Sequence, residues 1–344
     1  GNWGYQPGMT ALGNPLATLE NNNDFGRNLR FQGNLYGELT ILRGLTFRSA
    51  WGFDRMVNEK TEYAPVYQYS IFSRSISELI LEDANRFYWV WDNILNFKRT
   101  IGSDHTIDIT AGLTAERDQE RKQTLKATNV PAERNLWYLS QGDPTVILDK
   151  TRSGAFNYQR RSYFGRVNYS FMDKYNISAV VRNDGSSAFP SNKQSGTFYS
   201  VAGSWIISEE SFLENLKGVD FIKIRGGYAS LGNDAISRVV NNELSRTTPV
   251  TIVDPYGFPG GLVGGITFVK VNDGQATWET TKSFDFGLEY GLFDRKLTGE
   301  VSYYNKKTAA YIRVPTPPFL DPDGFIAQAA DVSNKGVEIA ANWN

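Results

Sequence analysis

Apolar and polar residues alternate with a period of two through most of the chain. Between residues 105 and 115 the odd positions Ile107, Ile109, Ala111 and Leu113 are apolar, and Thr106, Asp108, Thr110 and Thr114 between them are polar. Successive side chains of a strand point to opposite faces, so this segment reads as a half-buried strand. The same holds at 283–292, where Phe284, Phe286, Leu288, Tyr290 and Leu292 interleave with Ser283, Asp285, Gly287, Glu289 and Gly291. It holds again where Leu297, Gly299, Val301 and Tyr303 interleave with Lys296, Thr298, Glu300 and Ser302. Comparable segments near 27–39, 42–55, 86–99, 160–172, 174–184, 196–207, 220–230 and 333–344 bring the expectation to about eleven strands of about 11 to 15 residues. One short helix is expected, over Ser211–Lys217 before Gly218.

The connections between these strands alternate in length. Short ones fall near 40, 100–104, 173, 208–219 and 293–294; long ones span 56–85, 120–159, 185–195, 231–277 and 309–332. A transmembrane β-barrel has this asymmetry, with short periplasmic turns and longer extracellular loops, whereas a soluble sandwich does not require it. Aromatic residues bracket two of the tight turns. Tyr169, Phe171 and Tyr175 flank Asp173-Lys174, and Phe286, Tyr290, Phe293 and Tyr303 flank Asp294-Arg295, where an interfacial girdle would lie. The expected fold class is therefore all-β, an antiparallel transmembrane β-barrel. The polar positions Arg166, Asn168, Ser170, Asp285 and Glu289 would face its lumen.

Composition narrows the functions. With 36 basic and 37 acidic residues the formal charge is -1, so no net field argues for a nucleic-acid partner. There is no Cys, which excludes disulfides, thiolate nucleophiles and Cys-containing metal sites. No stretch approaches the roughly 18 consecutive apolar residues of a membrane-spanning helix, so any crossing must be made by strands. The opening Gly1-Asn2-Trp3-Gly4 has no basic region followed by an apolar core, so the expectation is that a secretory signal has been removed or that the chain starts in the middle of something longer.

Several separated motifs occur in one order. They are Tyr163-Phe164-Gly165-Arg166-Val167-Asn168-Tyr169, Asp173-Lys174-Tyr175 and Arg182-Asn183-Asp184-Gly185-Ser186-Ser187. Trp205-Ile206-Ile207-Ser208-Glu209-Glu210 and Ile224-Arg225-Gly226-Gly227-Tyr228 follow. Trp278-Glu279-Thr280-Thr281, Asp285-Phe286-Gly287-Leu288, Tyr303-Tyr304-Asn305-Lys306-Lys307-Thr308 and Asn334-Lys335-Gly336-Val337-Glu338 complete the set. Together they resemble the barrel of SusC/RagA-like TonB-dependent outer-membrane transporters, densely from 160 onward and only generally before it. The resemblance implies a 22-stranded barrel of which residues 1–344 form a portion, with an N-terminal plug domain and the remaining strands outside it. It further implies energy coupling through TonB, a SusD-like surface lipoprotein as partner, and import of oligosaccharides or peptides at the cell outer membrane. A passive porin and a secreted β-sandwich carbohydrate-binding module are the alternatives carried forward.

Little catalytic chemistry is available. The single histidine, His105, sits beside Asp104 at a short turn, away from the loops where a surface hydrolase would hold its triad, and no enzyme is expected. Asp321-Pro322-Asp323-Gly324 matches part of a calcium loop but lacks its later ligands, and an ordinary turn is expected there. Gly260-Gly261 and Gly264-Gly265 lack the strand-helix setting of a phosphate cradle. No metal or cofactor is expected. Candidate contacts to ligand or lipoprotein are the loop aromatics Trp137, Tyr138, Tyr256 and Phe258, because flat rings stack on sugars and side chains with little entropic cost.

Overall fold

The structure, a computed structural model, describes residues 19, 21, 23–69, 72–143, 152–213, 217–235, 251–258, 261–267, 277–315 and 325–343. Among the described residues fifteen strands follow in chain order. The first six are β1 (Asn23–Leu42), β2 (Leu45–Ala64), β3 (Tyr67–Tyr69), β4 (Phe72–Arg74), β5 (Glu78–Ile101) and β6 (His105–Thr128). Then come β7 (Arg152–Phe171), β8 (Tyr175–Ser186), β9 (Ser195–Ile206), β10 (Val219–Asn233) and β11 (Thr251–Phe258). The last four are β12 (Gly261–Thr267), β13 (Glu279–Leu292), β14 (Leu297–Val314) and β15 (Phe325–Trp343). Eleven of them form one sheet in the order β1-β2-β5-β6-β7-β8-β9-β10-β13-β14-β15, while β3-β4 and β11-β12 are separate hairpins within long connections.

The eleven expected strands are therefore present, and the expected lengths are corrected. Strands β5 and β6 each run 24 residues, and β1, β2 and β7 each run 20. They consume much of the expected loops at 56–85 and 120–159. The physical reason is visible in β6, where Glu116-Arg117-Asp118-Gln119-Glu120-Arg121-Lys122-Gln123 is polar on both faces. Such a segment has no hydrophobic alternation, yet its polar side chains pair across strands and keep the ladder going. The expected helix is also corrected in part. A 3-10 turn forms earlier, at Ile207–Glu209, Ser211–Leu213 is a turn, and residues 214–216 lie outside the described set.

Short connections use backbone conformations that close a hairpin tightly. Met172 and Asp173 between β7 and β8, and Phe293, Asp294 and Arg295 between β13 and β14, all sit at φ near +53 to +58°. At Arg43-Gly44 between β1 and β2 the demand is stricter. Gly44 has φ of +86°, and a Cβ there would meet the Lys98 carbonyl oxygen at 2.3 Å, so only glycine fits.

By Cα proximity the chain divides into two compact units: Gly1–Leu35 with Trp51–Val90 and Glu116–Tyr158, and Tyr36–Ala50 with Trp91–Ala115 and Gln159–Asn344. In the first unit the core is a small cluster of Tyr63, Leu79, Ala127 and Val130, onto which Leu81, Trp137 and Leu139 pack. The second unit's core cluster is Phe189, Phe198 and Trp278, the Trp278 indole donating to the Gln194 carbonyl at 3.2 Å. Both clusters lie beside long connections. Along the strands themselves the apolar face is uncovered: Ile177 and Val181 on β8, and Tyr199 and Val201 on β9, are each at least half exposed. A sandwich would press that face against a second sheet.

Candidate functional site

Cross-strand register decides which side chains meet on the polar face. In the second unit Asn168 of β7 stands opposite Ser178 of β8, and the Ser178 hydroxyl donates to the Asn168 Oδ1 at 2.8 Å. Arg225 of β10 pairs with Ser204 on one side and Gly287 on the other. A Cβ at Gly287 would come within 3.1 Å of the Arg225 guanidinium carbon, so the glycine lets the side chain lie across β13. It thereby reaches Glu289 at 3.2 Å, Glu300 of β14 at 3.3 Å and Asp285 at 3.8 Å. Lys223 adds a contact to Glu289 at 3.2 Å. Two cations thus hold three carboxylates in a network one-quarter to one-half exposed, rigid enough to fix side-chain direction and open enough to accept further hydrogen bonds. An open hollow of about 550 Å³ lies over this face, lined by Asp108, Asn168, Ser204, Lys223, Arg225 and Asp285 among others.

The first unit repeats the arrangement with bidentate pairs. Arg30 grips Asp54 at 3.0 and 2.6 Å, and Arg86 grips Asp118 at 2.8 and 2.5 Å. Tyr88 donates to Glu116 at 2.9 Å, Lys122 meets Glu82 at 2.7 Å and Lys126 meets Glu78 at 2.5 Å. These residues share the even positions of β5 and β6, one face of the pair.

On the apolar face, beside the short connections, one ring from each element follows the next. His105 lies 4.8 Å from Phe171, Phe171 lies 6.0 Å from Tyr175, and Tyr175 lies 6.0 Å from Trp205. His105 Nδ1 shares a 2.7 Å hydrogen bond with the Tyr169 hydroxyl, which ties the lone imidazole into this row. Glu210, in the β9–β10 connection, accepts from the Tyr175 hydroxyl at 2.6 Å and the Trp205 indole at 3.0 Å. Those two donors, the tyrosine foremost, hold its carboxyl below the ordinary glutamate range.

The sequence-predicted contact residues lie on two connections, Trp137 and Tyr138 between β6 and β7, Tyr256 and Phe258 between β10 and β13. Trp137 turns inward, stacked on Tyr63 at 4.4 Å, with its indole nitrogen buried and unpartnered among the described residues. Tyr138 points outward and is 62% exposed. Tyr256 and Phe258 lie on β11, opposite Val263 and Gly261 of β12, and their side chains lie outside the described residues. So do Gly260 and Asp321-Pro322-Asp323-Gly324; Gly264 and Gly265 share β12 with Gly261. Arg166, Asn168, Ser170, Asp285 and Glu289 do share the polar face. Sequence reading missed Arg225, Lys223 and Glu300 as their partners, and Arg30, Asp54, Arg86 and Asp118; for all but Asp118, which lies in the polar stretch of β6, the available signal was their phase on strands already recognised.

Comparison with known proteins places this geometry. The family model for the TonB dependent receptor-like β-barrel matches residues 1–344. The TonB-dependent receptor P39 of Formosa agariphila is 28% identical over 337 residues, covering 96% of this chain and 31% of that protein. The TonB-dependent receptor SusC of Bacteroides thetaiotaomicron is 26% identical over 321 residues, covering 89% and 30%. The solved RagAB peptide importer in its open-open state superimposes with a TM-score of 0.80 at 24% identity, over 98% of this chain and 36% of that one. The chain thus spans about a third of the length of these relatives.

Proposed function

From the premise that this chain belongs to the TonB dependent receptor-like β-barrel family, we propose that it is a portion of the barrel wall of an outer-membrane nutrient importer. The observation that carries this is the two-faced wall, with uncovered apolar side chains on one face and linked ion pairs on the other. A bilayer is the solvent that accepts the first face, and a wet lumen accepts the second. The long connections lie at the extracellular end and the short ones in the periplasm. In the lumen the network around Arg225 presents fixed donors and acceptors to a plug domain or a passing solute.

Import of oligosaccharides or peptides, coupled through TonB and assisted by a SusD-like lipoprotein, extends the proposal. In its support stand the likeness to SusC and to the peptide importer RagAB. Of the loop aromatics, Tyr138 is the described side chain free to meet ligand or lipoprotein, and Tyr256 and Phe258 join it as candidates. Trp137 would act through the loop it holds in place. Calorimetry on the full-length receptor, with and without its neighbouring lipoprotein, tests this against oligosaccharide and peptide pools. Binding that tightens with the lipoprotein and selects one pool supports the proposal and names the substrate class. No binding, together with indiscriminate solute flux through reconstituted receptor, sinks active import in favour of a passive pore.

A further inference from the structure

On the apolar face of the first unit the character of successive outward positions changes along each strand. On β2 the sequence is Trp51, Phe53, then Arg55; on β5, running the other way, it is Trp89, Phe87, then Asn85. On β6 the outward odd positions are Arg117, Gln119 and Arg121. Arg55, Phe87, Gln119, Arg121 and Asn157 line an open hollow of about 380 Å³ at this level, together with one carboxylate, Glu120. Arg117 donates to the Asn157 Oδ1 at 2.8 Å beside it.

The arginines differ sharply from those on the opposite face. There, Arg30, Arg86, Lys122 and Lys126 each meet a carboxylate. Arg55 and Arg121 are exposed and have neither hydrogen bond nor ion pair from their side chains among the described residues, and Arg117 has only the amide. Acid follows further along, Asp83 at the next outward position on β5 and Glu59 beyond Val57 on β2, but among the described residues no ion pair joins either to these arginines. The polar face thus pairs these cations with carboxylates, whereas Arg55, Arg117 and Arg121, on the other face beyond Trp51, Phe53, Trp89 and Phe87, have no ion pair among the described residues.

We infer, on the outer-membrane placement proposed above, that this hollow is a binding site for the phosphorylated sugar headgroup of an outer-leaflet glycolipid. The position fits, because the apolar positions before it meet acyl chains and the next residues meet headgroups. The chemistry fits as well: guanidinium forks match phosphate oxygens, and the amides of Asn85, Gln119 and Asn157 offer hydrogen bonds to sugar hydroxyls. A soluble anion would gain nothing from the flanking apolar strip, whereas a lipid is held there by its chains.

The test uses the full-length receptor in phosphatidylcholine nanodiscs doped with either diphosphorylated lipid A or its dephosphorylated form, with native mass spectrometry counting the glycolipid retained. Wild type should keep the diphosphorylated form selectively. Each of Arg55→Gln, Arg117→Gln and Arg121→Gln should weaken retention by roughly fivefold. Arg99→Gln, outward on β5 near its short turn, should leave it unchanged. Equal retention of the two lipids by wild type, or retention indifferent to the three substitutions, overturns the inference. So does complete displacement by millimolar inorganic phosphate, which would make the site one for soluble anions. Heat-modifiable gel migration separates these from a deeper failure: receptor that does not enter the nanodisc as a folded barrel removes the membrane placement, and this site with it.

Discussion

At the residue scale, the consequence of an ion pair depends on which partner is buried. Asp118 is 5% exposed at its side chain and Arg86 is 43% exposed. Arg86→Met strands a carboxylate away from water, whereas Asp118→Asn leaves a guanidinium that solvent still reaches. Chemical denaturation of the folded receptor should therefore show Arg86→Met as the more destabilising by about 1–2 kcal/mol, the screened remainder of a buried-charge penalty. Equal losses would mean that Asp118 finds water in the barrel. Glu210 gives a pH prediction. Its folded pKa is depressed by Tyr175 and Trp205, so its contribution is fully present above the ordinary glutamate range and is lost as pH falls through the depressed value. Acid titration followed by Trp205 fluorescence should show a step below the usual glutamate range. Glu210→Gln should abolish it, and a step that survives would belong to another group. None of these pairings was legible in the sequence. Alternation assigns a residue to a face, but the partner depends on register between strands, which a single strand does not encode.

Turns and register are properties of the element. Gly44 and Gly102 both have positive φ, yet a Cβ at Gly102 meets nothing within 4 Å while one at Gly44 would strike the Lys98 carbonyl. Gly44→Ala should accordingly cost about 1–3 kcal/mol through strain that the backbone must relieve, and Gly102→Ala clearly less. Comparing folding yield and denaturant midpoints of the two variants checks this; equal penalties would show that φ alone governs. Strand existence was readable wherever a face is apolar, as in Ile107–Leu113. Strand ends were not, because beyond the apolar band β6 is polar on both faces and its ladder is kept by Arg86, Lys122 and Lys126. The β3-β4 and β11-β12 hairpins were absorbed into loops for a related reason: each strand is at most eight residues, too short to establish a period.

For the whole molecule, the two faces imply two solvents. Val181 lies on the uncovered face near mid-strand of β8, and Ser178 lies on the polar face beside Asn168. Val181→Arg should cost about 2–4 kcal/mol of stability in a bilayer, as a charge at the midplane does, and Ser178→Arg should be near neutral. Folding into lipid vesicles scored by heat-modifiable migration distinguishes them, and an indifferent Val181→Arg would argue for water on that face. The barrel wall and its polar lining were legible from alternation and connection lengths. The hollow proposed for a glycolipid was not, since Arg117 and Arg121 come from a stretch of β6 that carries no apolar period. Alternation also governs how such a chain can change over evolutionary time. Gaining or losing one residue in a two-residue turn such as Arg43-Gly44 would shift β2 by a single step and exchange its oily side for its wet side at every position. An insertion in a connection as long as that between β10 and β13 disturbs neither, so diversification in length is confined to the end of the wall that carries the long connections.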